Sequence, residues 1–218
     1  MDIFNYTGDL LSPSECDDII TYCNDLKLNK AKVTSNDIDG NIIKVVSNHR
    51  TNYNLKIQWG KHIILDELYK RISNITSLPI ENIEMEINKY HINEYFLPHY
   101  DFLPPAWIVD TGGQRLYSCV VYLNDDFKGG ETHFPNISNG EVSCIRPSWA
   151  EEGQIFSTGH HIVKPVKGKS IMWRNCLPGT TELNTMSLHE SLPIISGEKW
   201  ALIAWIRENA YVDKFTNI

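Results

Sequence analysis

Long apolar runs, basic stripes and paired cysteines are all missing from this sequence. No window approaches the roughly 20 apolar residues of a membrane-spanning helix, so no membrane contact is expected. The first residues carry neither a basic segment nor a long apolar one. No secretory signal is expected there, and the cytoplasm is the expected compartment. With 20 Lys and Arg against 27 Asp and Glu, the net charge is −7. A chain so balanced is a poor match for a nucleic-acid backbone, and no nucleic-acid partner is expected. The basic residues Lys164, Lys167, Lys169 and Arg174 read as a solvated strand face. The cysteines number five, Cys16, Cys23, Cys119, Cys144 and Cys176, with no CxxC among them. An odd count without such pairs argues against a disulfide framework or a thiolate zinc site, and for reduced thiols.

What is present is an ordinary globular composition: 218 residues, 42% hydrophobic and 22% charged. That length fits a single domain over 1–218 with a sizeable core. Ser12-Pro13-Ser14-Glu15 opens a helix, with Ser12 as cap, Pro13 in the first turn and Glu15 closing a capping box. Ile19, Ile20, Cys23 and Leu26 follow at helical spacing, and Cys16 and Cys23 share its buried stripe. A polar loop is expected over 29–40. A second helix is expected over 59–75, with Ile63, Ile64, Leu68 and Ile72 on one face. After Pro79 the pattern turns to strands, over 84–92, 116–123, 162–166, 170–173 and 200–206, with glycine and proline turns between them. The expected fold is α+β: a mainly helical part over 1–80, its helices packed on one side, and a jelly-roll core over 81–218.

The chemistry centres on His99-Tyr100-Asp101. Residues two apart on a strand face the same way, so an imidazole and a carboxylate can share one metal ion. A third ligand must come from elsewhere, and His189 is the best candidate. Two histidines and one carboxylate on one side of a metal suit non-haem iron(II) and leave positions open for a co-substrate and O2. Alone, such a pair is a weak signal. His62, His91, His133, His160 and His161 compete, and of the adjacent pair His160-His161 at most one could face the same ion. Lys199 follows His189 by ten residues, inside an apolar stretch that reads as a buried strand. A buried lysine there can hold the far carboxylate of 2-oxoglutarate through a charge-assisted hydrogen bond.

Motifs along nearly the whole chain resemble the prolyl 4-hydroxylases of the iron(II)/2-oxoglutarate oxygenase superfamily. They are Leu11-Ser12-Pro13-Ser14-Glu15-Cys16, His49-Arg50-Thr51, Pro98-His99-Tyr100-Asp101 and Gly113-Gln114-Arg115-Leu116. Further on come Tyr122-Leu123-Asn124-Asp125, Gly129-Gly130-Glu131-Thr132-His133-Phe134-Pro135, Val163-Lys164-Pro165-Val166-Lys167-Gly168, Ser187-Leu188-His189 and Gly197-Glu198-Lys199-Trp200. The resemblance implies a double-stranded β-helix with iron held by His99, Asp101 and His189. It implies Lys199 and Tyr122 at the 5-carboxylate of 2-oxoglutarate, Tyr90 lining the iron pocket, and Arg50, Arg115 and Trp205 at a peptide substrate. The implied reaction hydroxylates prolyl residues at C4 in proline-rich peptides or proteins. It consumes O2 and 2-oxoglutarate, releases succinate and CO2, and uses ascorbate as reductant. The chain departs from the family at Phe96, where a tyrosine is usual, at Asn93, where a glycine is usual, and at Arg207, where many members carry histidine. The connection over 136–161 is long and irregular, and the segment 102–113 reads as a lid. Other readings are the same chemistry on free proline, on another protein side chain or on a small metabolite, and a non-catalytic jelly-roll binding protein.

Overall fold

The computed structural model describes residues 3–36, 42–108, 111–137 and 161–213. Strand β1 (Phe4–Asp9) leads into helix α1 (Pro13–Asn24), then β2 (Asn29–Lys30), β3 (Val33–Asn36), β4 (Ile42–Val45), β5 (Tyr53–Ile57) and helix α2 (Ile63–Thr76). Next come β6 (Ile83–Tyr90), β7 (Phe96–His99), the short α3 (Pro105–Ile108), β8 (Arg115–Tyr122), β9 (Lys128–Gly129) and β10 (Thr132–Phe134). The chain closes with β11 (His161–Val163), β12 (Lys169–Arg174), β13 (His189–Ser191), β14 (Ile194–Ser196) and β15 (Lys199–Arg207). No helix of the described residues is long and apolar enough to cross a membrane.

Antiparallel pairing builds a seven-stranded sheet in the order β1-β12-β8-β15-β6-β5-β2 and a four-stranded sheet in the order β11-β10-β13-β7. Two two-stranded sheets, β9 with β14 and β3 with β4, complete the pairing. The large sheet separates two apolar clusters, because alternate residues of a strand face opposite sides. Cys119 and Val121 of β8, Met172 of β12 and Leu202 and Ala204 of β15 pack with residues of both helices. Their neighbours Val120, Tyr122, Ile171, Trp173 and Ala201 form the other cluster, with Phe134 of the small sheet.

Helix α1 begins as its local sequence demands. The Ser12 hydroxyl oxygen accepts from the Glu15 amide at 3.3 Å, and Glu15 Oε2 accepts from the Ser12 amide at 2.7 Å. Glu15 also receives Arg71 Nη2 of α2 at 2.7 Å, which ties the two helices together. Cys16, Ile19 and Cys23 are fully buried. Their spacing repeats the helical period and aims one stripe at the sheet.

Several expectations need correction. The second helix starts at Ile63 rather than at 59, and Ile63 is 81% exposed. The buried face is Leu65, Leu68, Tyr69 and Ile72, the same period counted from a different start. The loop expected over 29–40 contains β2 and β3, with residues 37–40 outside the described set. Five strands lie within 1–80, so that part is mixed rather than mainly helical. Cys144, His160 and most of the 136–161 connection also lie outside the described residues, as do residues 109 and 110 of the segment expected to be a lid. Within that segment Leu103 meets the Gln114 amide, which accepts from Leu103 N and donates to Leu103 O, both at 2.8 Å.

Candidate active site

Strands β7 and β13 pair antiparallel with His99 opposite His189. Cross-strand partners sit close on one face, and the two imidazole centroids are 4.3 Å apart. Strand β7 ends at His99, so Asp101 lies just beyond it rather than on the same strand as expected. Its carboxylate still converges: one ligand atom each from His99, Asp101 and His189 lie within 4.8 Å of one another.

Backbone carbonyls select the tautomers. His99 Nδ1 lies 2.7 Å from Leu97 O, and His189 Nδ1 lies 2.8 Å from Ser187 O. A carbonyl oxygen can only accept, so each Nδ1 carries the proton and each Nε2 keeps its lone pair for a metal. Burial, with His189 beside it, pushes the His99 pKa well below that of free histidine and keeps the ring neutral. Burial alone would raise the Asp101 pKa. The neighbouring imidazoles, Arg115 and the Ser118 hydroxyl reverse this and hold the carboxylate ionised. Two neutral imidazole nitrogens and one carboxylate oxygen, with no thiolate in the cluster, form the donor set that suits iron(II).

Competing histidines are engaged elsewhere. His62 stacks on Tyr22, His91 faces Glu198 at 2.9 Å, His133 faces Glu190 at 2.7 Å, and His161 packs on Phe4. Among the described residues no other group of three could hold a metal.

Lys199 starts β15 and is 2% exposed. Its ammonium donates to Gly130 O at 2.6 Å and to Ser191 Oγ at 2.9 Å, and no carboxylate lies in salt-bridge range among the described residues. Burial pulls its pKa down to about 7, against a small opposing pull from Glu131. The rings of Tyr90 and Tyr122 flank the ammonium at 5.1 and 5.7 Å. Tyr122 shares a 2.7 Å hydrogen bond with Thr132 Oγ1, and burial pushes the Tyr90 hydroxyl up to about 12. A side chain at Gly130 would meet Lys199 Cδ at 3.1 Å and Ile194 Cδ1 at 2.5 Å, and its φ is +71°, so glycine is required there. The arrangement is a buried cradle in which the lysine's hydrogen-bond partners are neutral, so it can accept an anion.

The expected substrate-side residues sit in buried ion pairs. Glu84 Oε2 accepts from Arg115 Nη2 at 2.9 Å and from Arg207 Nη2 at 2.8 Å. Burial would raise the Glu84 pKa, yet the two guanidiniums hold it down to about 2. Arg115 lies flat over Trp205, 3.8 Å from the ring centroid. Arg50 pairs with Glu86 and donates to Asn88 Oδ1 at 2.7 Å and to Asn52 Oδ1 at 3.0 Å. Its guanidinium also lies 5.0 Å over Phe96, which stacks on His99 at 3.5 Å and 12°. Phe96 thus links an arginine to a ligand histidine through one aromatic layer. Asn93, where glycine is usual, has φ +65°, which asparagine tolerates better than most residues.

Sequence reasoning missed Ser118, Thr132, Ser191, Glu84 and Glu86. The signal available for them is parity. Ser118 shares the inward side of β8 with Val120 and Tyr122, and Glu84 and Glu86 share a side of β6 with Tyr90.

A family model described as the 2OG-Fe(II) oxygenase superfamily matches residues 85–207, which include His99, Asp101 and His189. Among curated relatives, probable prolyl 4-hydroxylase 6 of Arabidopsis thaliana is 33% identical over 213 residues, covering 97% of this chain and 70% of that protein. Probable prolyl 4-hydroxylase 7 of the same plant is 31% identical over 214 residues, covering 98% of this chain and 65% of that protein. The chain spans between about half and two thirds of the first curated relatives it matches, at 65%, 55% and 49% of their lengths. Among solved structures, the 2OG complex of the viral collagen prolyl hydroxylase from Paramecium Bursaria Chlorella virus-1 superposes with a TM-score of 0.64 at 25% identity, covering 94% of this chain and 96% of that one. By these likenesses, on a site with the matching donor set, the chain belongs to the prolyl 4-hydroxylase family of the 2OG-Fe(II) oxygenase superfamily.

Proposed function

We propose that this protein is an iron(II)- and 2-oxoglutarate-dependent dioxygenase that hydroxylates prolyl residues at C4 in proline-rich peptides or proteins. The observation that carries the reading is the convergence of His99, Asp101 and His189 within 4.8 Å. In this reading the two sheets form one double-stranded β-helix, and residues 1–218 make a single oxygenase domain. The free thiols of Cys16, Cys23, Cys119 and Cys176 suit a reducing compartment, the cytoplasm.

His99 Nε2, His189 Nε2 and one Asp101 oxygen would hold iron(II). Lys199 would bind the 5-carboxylate of 2-oxoglutarate, with Tyr122 and Tyr90 walling the cradle. Together with 2-oxoglutarate and O2, the iron supplies an oxidative decarboxylation to succinate and CO2 coupled to hydroxylation of an unreactive C–H bond. The protein's own part is to keep the His99 imidazole neutral, to keep the carboxylate ionised and to exclude water with Trp173, Phe134 and Tyr122. Trp205, buried with the Arg115 guanidinium over its ring, would shape the peptide site through that arginine. Arg50 and Arg115, already paired with Glu86 and Glu84, would present their remaining N–H groups to peptide carbonyls. A proline-rich chain arrives largely preformed as polyproline II, which lowers the entropy lost on binding.

The test supplies iron(II), 2-oxoglutarate and ascorbate and measures succinate, with proline-rich peptides and free proline at equal concentration. Mass spectrometry should find an added oxygen on peptidyl proline. Hydroxylation of free proline alone, or of another residue, overturns the substrate. No peptide-stimulated succinate from any of them overturns the oxygenase reading.

A further inference from the structure

The two oxygens of Asp101 stand in different surroundings. Oδ2 accepts the Ser118 hydroxyl at 2.6 Å. Oδ2 also lies 3.4 Å from His189 Nε2, while Oδ1 lies 3.7 Å from His99 Nε2 and 4.0 Å from Arg115 Nη1. Behind Ser118 stands Asn175, whose Nδ2 donates to Ser118 Oγ at 2.8 Å. An amide nitrogen donates and never accepts, and a serine hydroxyl has one hydrogen. With its oxygen receiving from Asn175, Ser118 sends that hydrogen to Asp101. The chain Asn175 to Ser118 to Asp101 therefore runs in one direction.

This relay is built into the fold. Ser118 and Asn175 are fully buried, and Asp101 is 5% exposed. Asn175 is held at both backbone ends: its N donates to Leu116 O and its carbonyl accepts from Asn184 N, each at 2.9 Å. Its side-chain oxygen is buried without a hydrogen-bond partner. An unsatisfied buried oxygen is destabilising, so packing alone would favour an apolar residue at this place. What the amide contributes is its donor.

We infer that Ser118 and Asn175 are positioning residues for the metal carboxylate: their one-way relay fixes Oδ2 and so holds the Asp101 carboxylate against the two imidazoles. The inference rests on the reading of His99, Asp101 and His189 as a metal centre. Its consequence is affinity: a carboxylate already aimed at both imidazoles needs no reordering when a metal arrives. The relay acts through Asp101 without touching substrate or metal.

Manganese(II), a redox-quiet stand-in, tests this by direct titration followed by electron paramagnetic resonance, with no turnover involved. The proteins are the parent, Ser118→Ala, Ser118→Thr, Asn175→Asp and His99→Ala. Loss of a group that orients a metal ligand weakens affinity about 10- to 100-fold. Ser118→Ala should show a loss of that size with an unchanged thermal midpoint, and Ser118→Thr should recover most of it. Asn175→Asp should match Ser118→Ala, because the new carboxylate accepts the serine hydrogen and turns it away from Asp101. Should Ser118→Ala fail to fold, the threonine and aspartate variants decide the matter through the same titration. Parent-like affinity in Ser118→Ala and Asn175→Asp, with binding lost in His99→Ala, overturns the relay and leaves the metal centre standing. Parent-like affinity in His99→Ala overturns the metal centre itself.

Discussion

Raising the pH from 7 to 9 should weaken 2-oxoglutarate binding, because the lysine in its cradle gives up a proton. Lys199 is buried beside Tyr90 and Tyr122, and burial lowers its pKa from 10.5 to about 7. An incoming carboxylate supplies the missing counter-charge and favours the ammonium. Between the free protein's pKa of about 7 and the higher pKa of the complex, each binding event takes up one proton. The dissociation constant should then rise about tenfold per pH unit, or about 1.4 kcal/mol. The sign for folding is opposite. The unfolded lysine, with the higher pKa, binds more protons between about 7 and 10.5, so the free protein gains stability as pH rises through that window. The assay is calorimetric titration of 2-oxoglutarate into the manganese-loaded protein, in two buffers of different ionisation heat at each pH. The difference in heat counts the protons. Lys199→Arg keeps its charge throughout and should show weak but pH-flat binding, and Lys199→Ala should be weaker still. A parent dissociation constant that stays flat from pH 7 to 9 with no proton uptake refutes the reasoning.

His99→Ala should abolish succinate formation while circular dichroism and the thermal midpoint stay near parent values, since it removes one ligand from a rim strand. Glu84→Gln should lower stability by about 3–5 kcal/mol, because Arg115 and Arg207 would share a neutral partner in a buried place. Denaturant unfolding measures that loss, and an unchanged midpoint would show that water already screens the pair.

Local chemistry was legible in the sequence, and pairing across distance was not. Ser12, Pro13 and Glu15 announce α1 because a capping box closes within four residues. Lys199 in its apolar stretch and the glycines at 129 and 130 were readable for the same reason. Strand β5 was missed, and the strand at His99 was carried on to Asp101, because each is short and owes its form to a distant partner. Arg50 and Arg115 were readable as functional, but their acids lie 36 and 31 residues away on β6. Nothing local marks Glu86 and Glu84 as their partners. Ser118 and Asn175 are 57 residues apart, and their hydrogen bond depends on β8 pairing with β12. The start of α2 was misjudged because Trp59 fits the helical period, while at the true start His62 makes no side-chain cap hydrogen bond.

The pairing of His99 with His189 across β7 and β13 would make a metal bound there a proofreader. The two strands join distant segments, and side chains alternate faces along each. A slip of one position would turn one imidazole to the far side of the small sheet. A molecule misaligned there would keep its other strands and both helices, yet lose the ion. Stoichiometric metal uptake would therefore count the fraction of a preparation in which this pairing is in register, a property that spectra of secondary structure do not report.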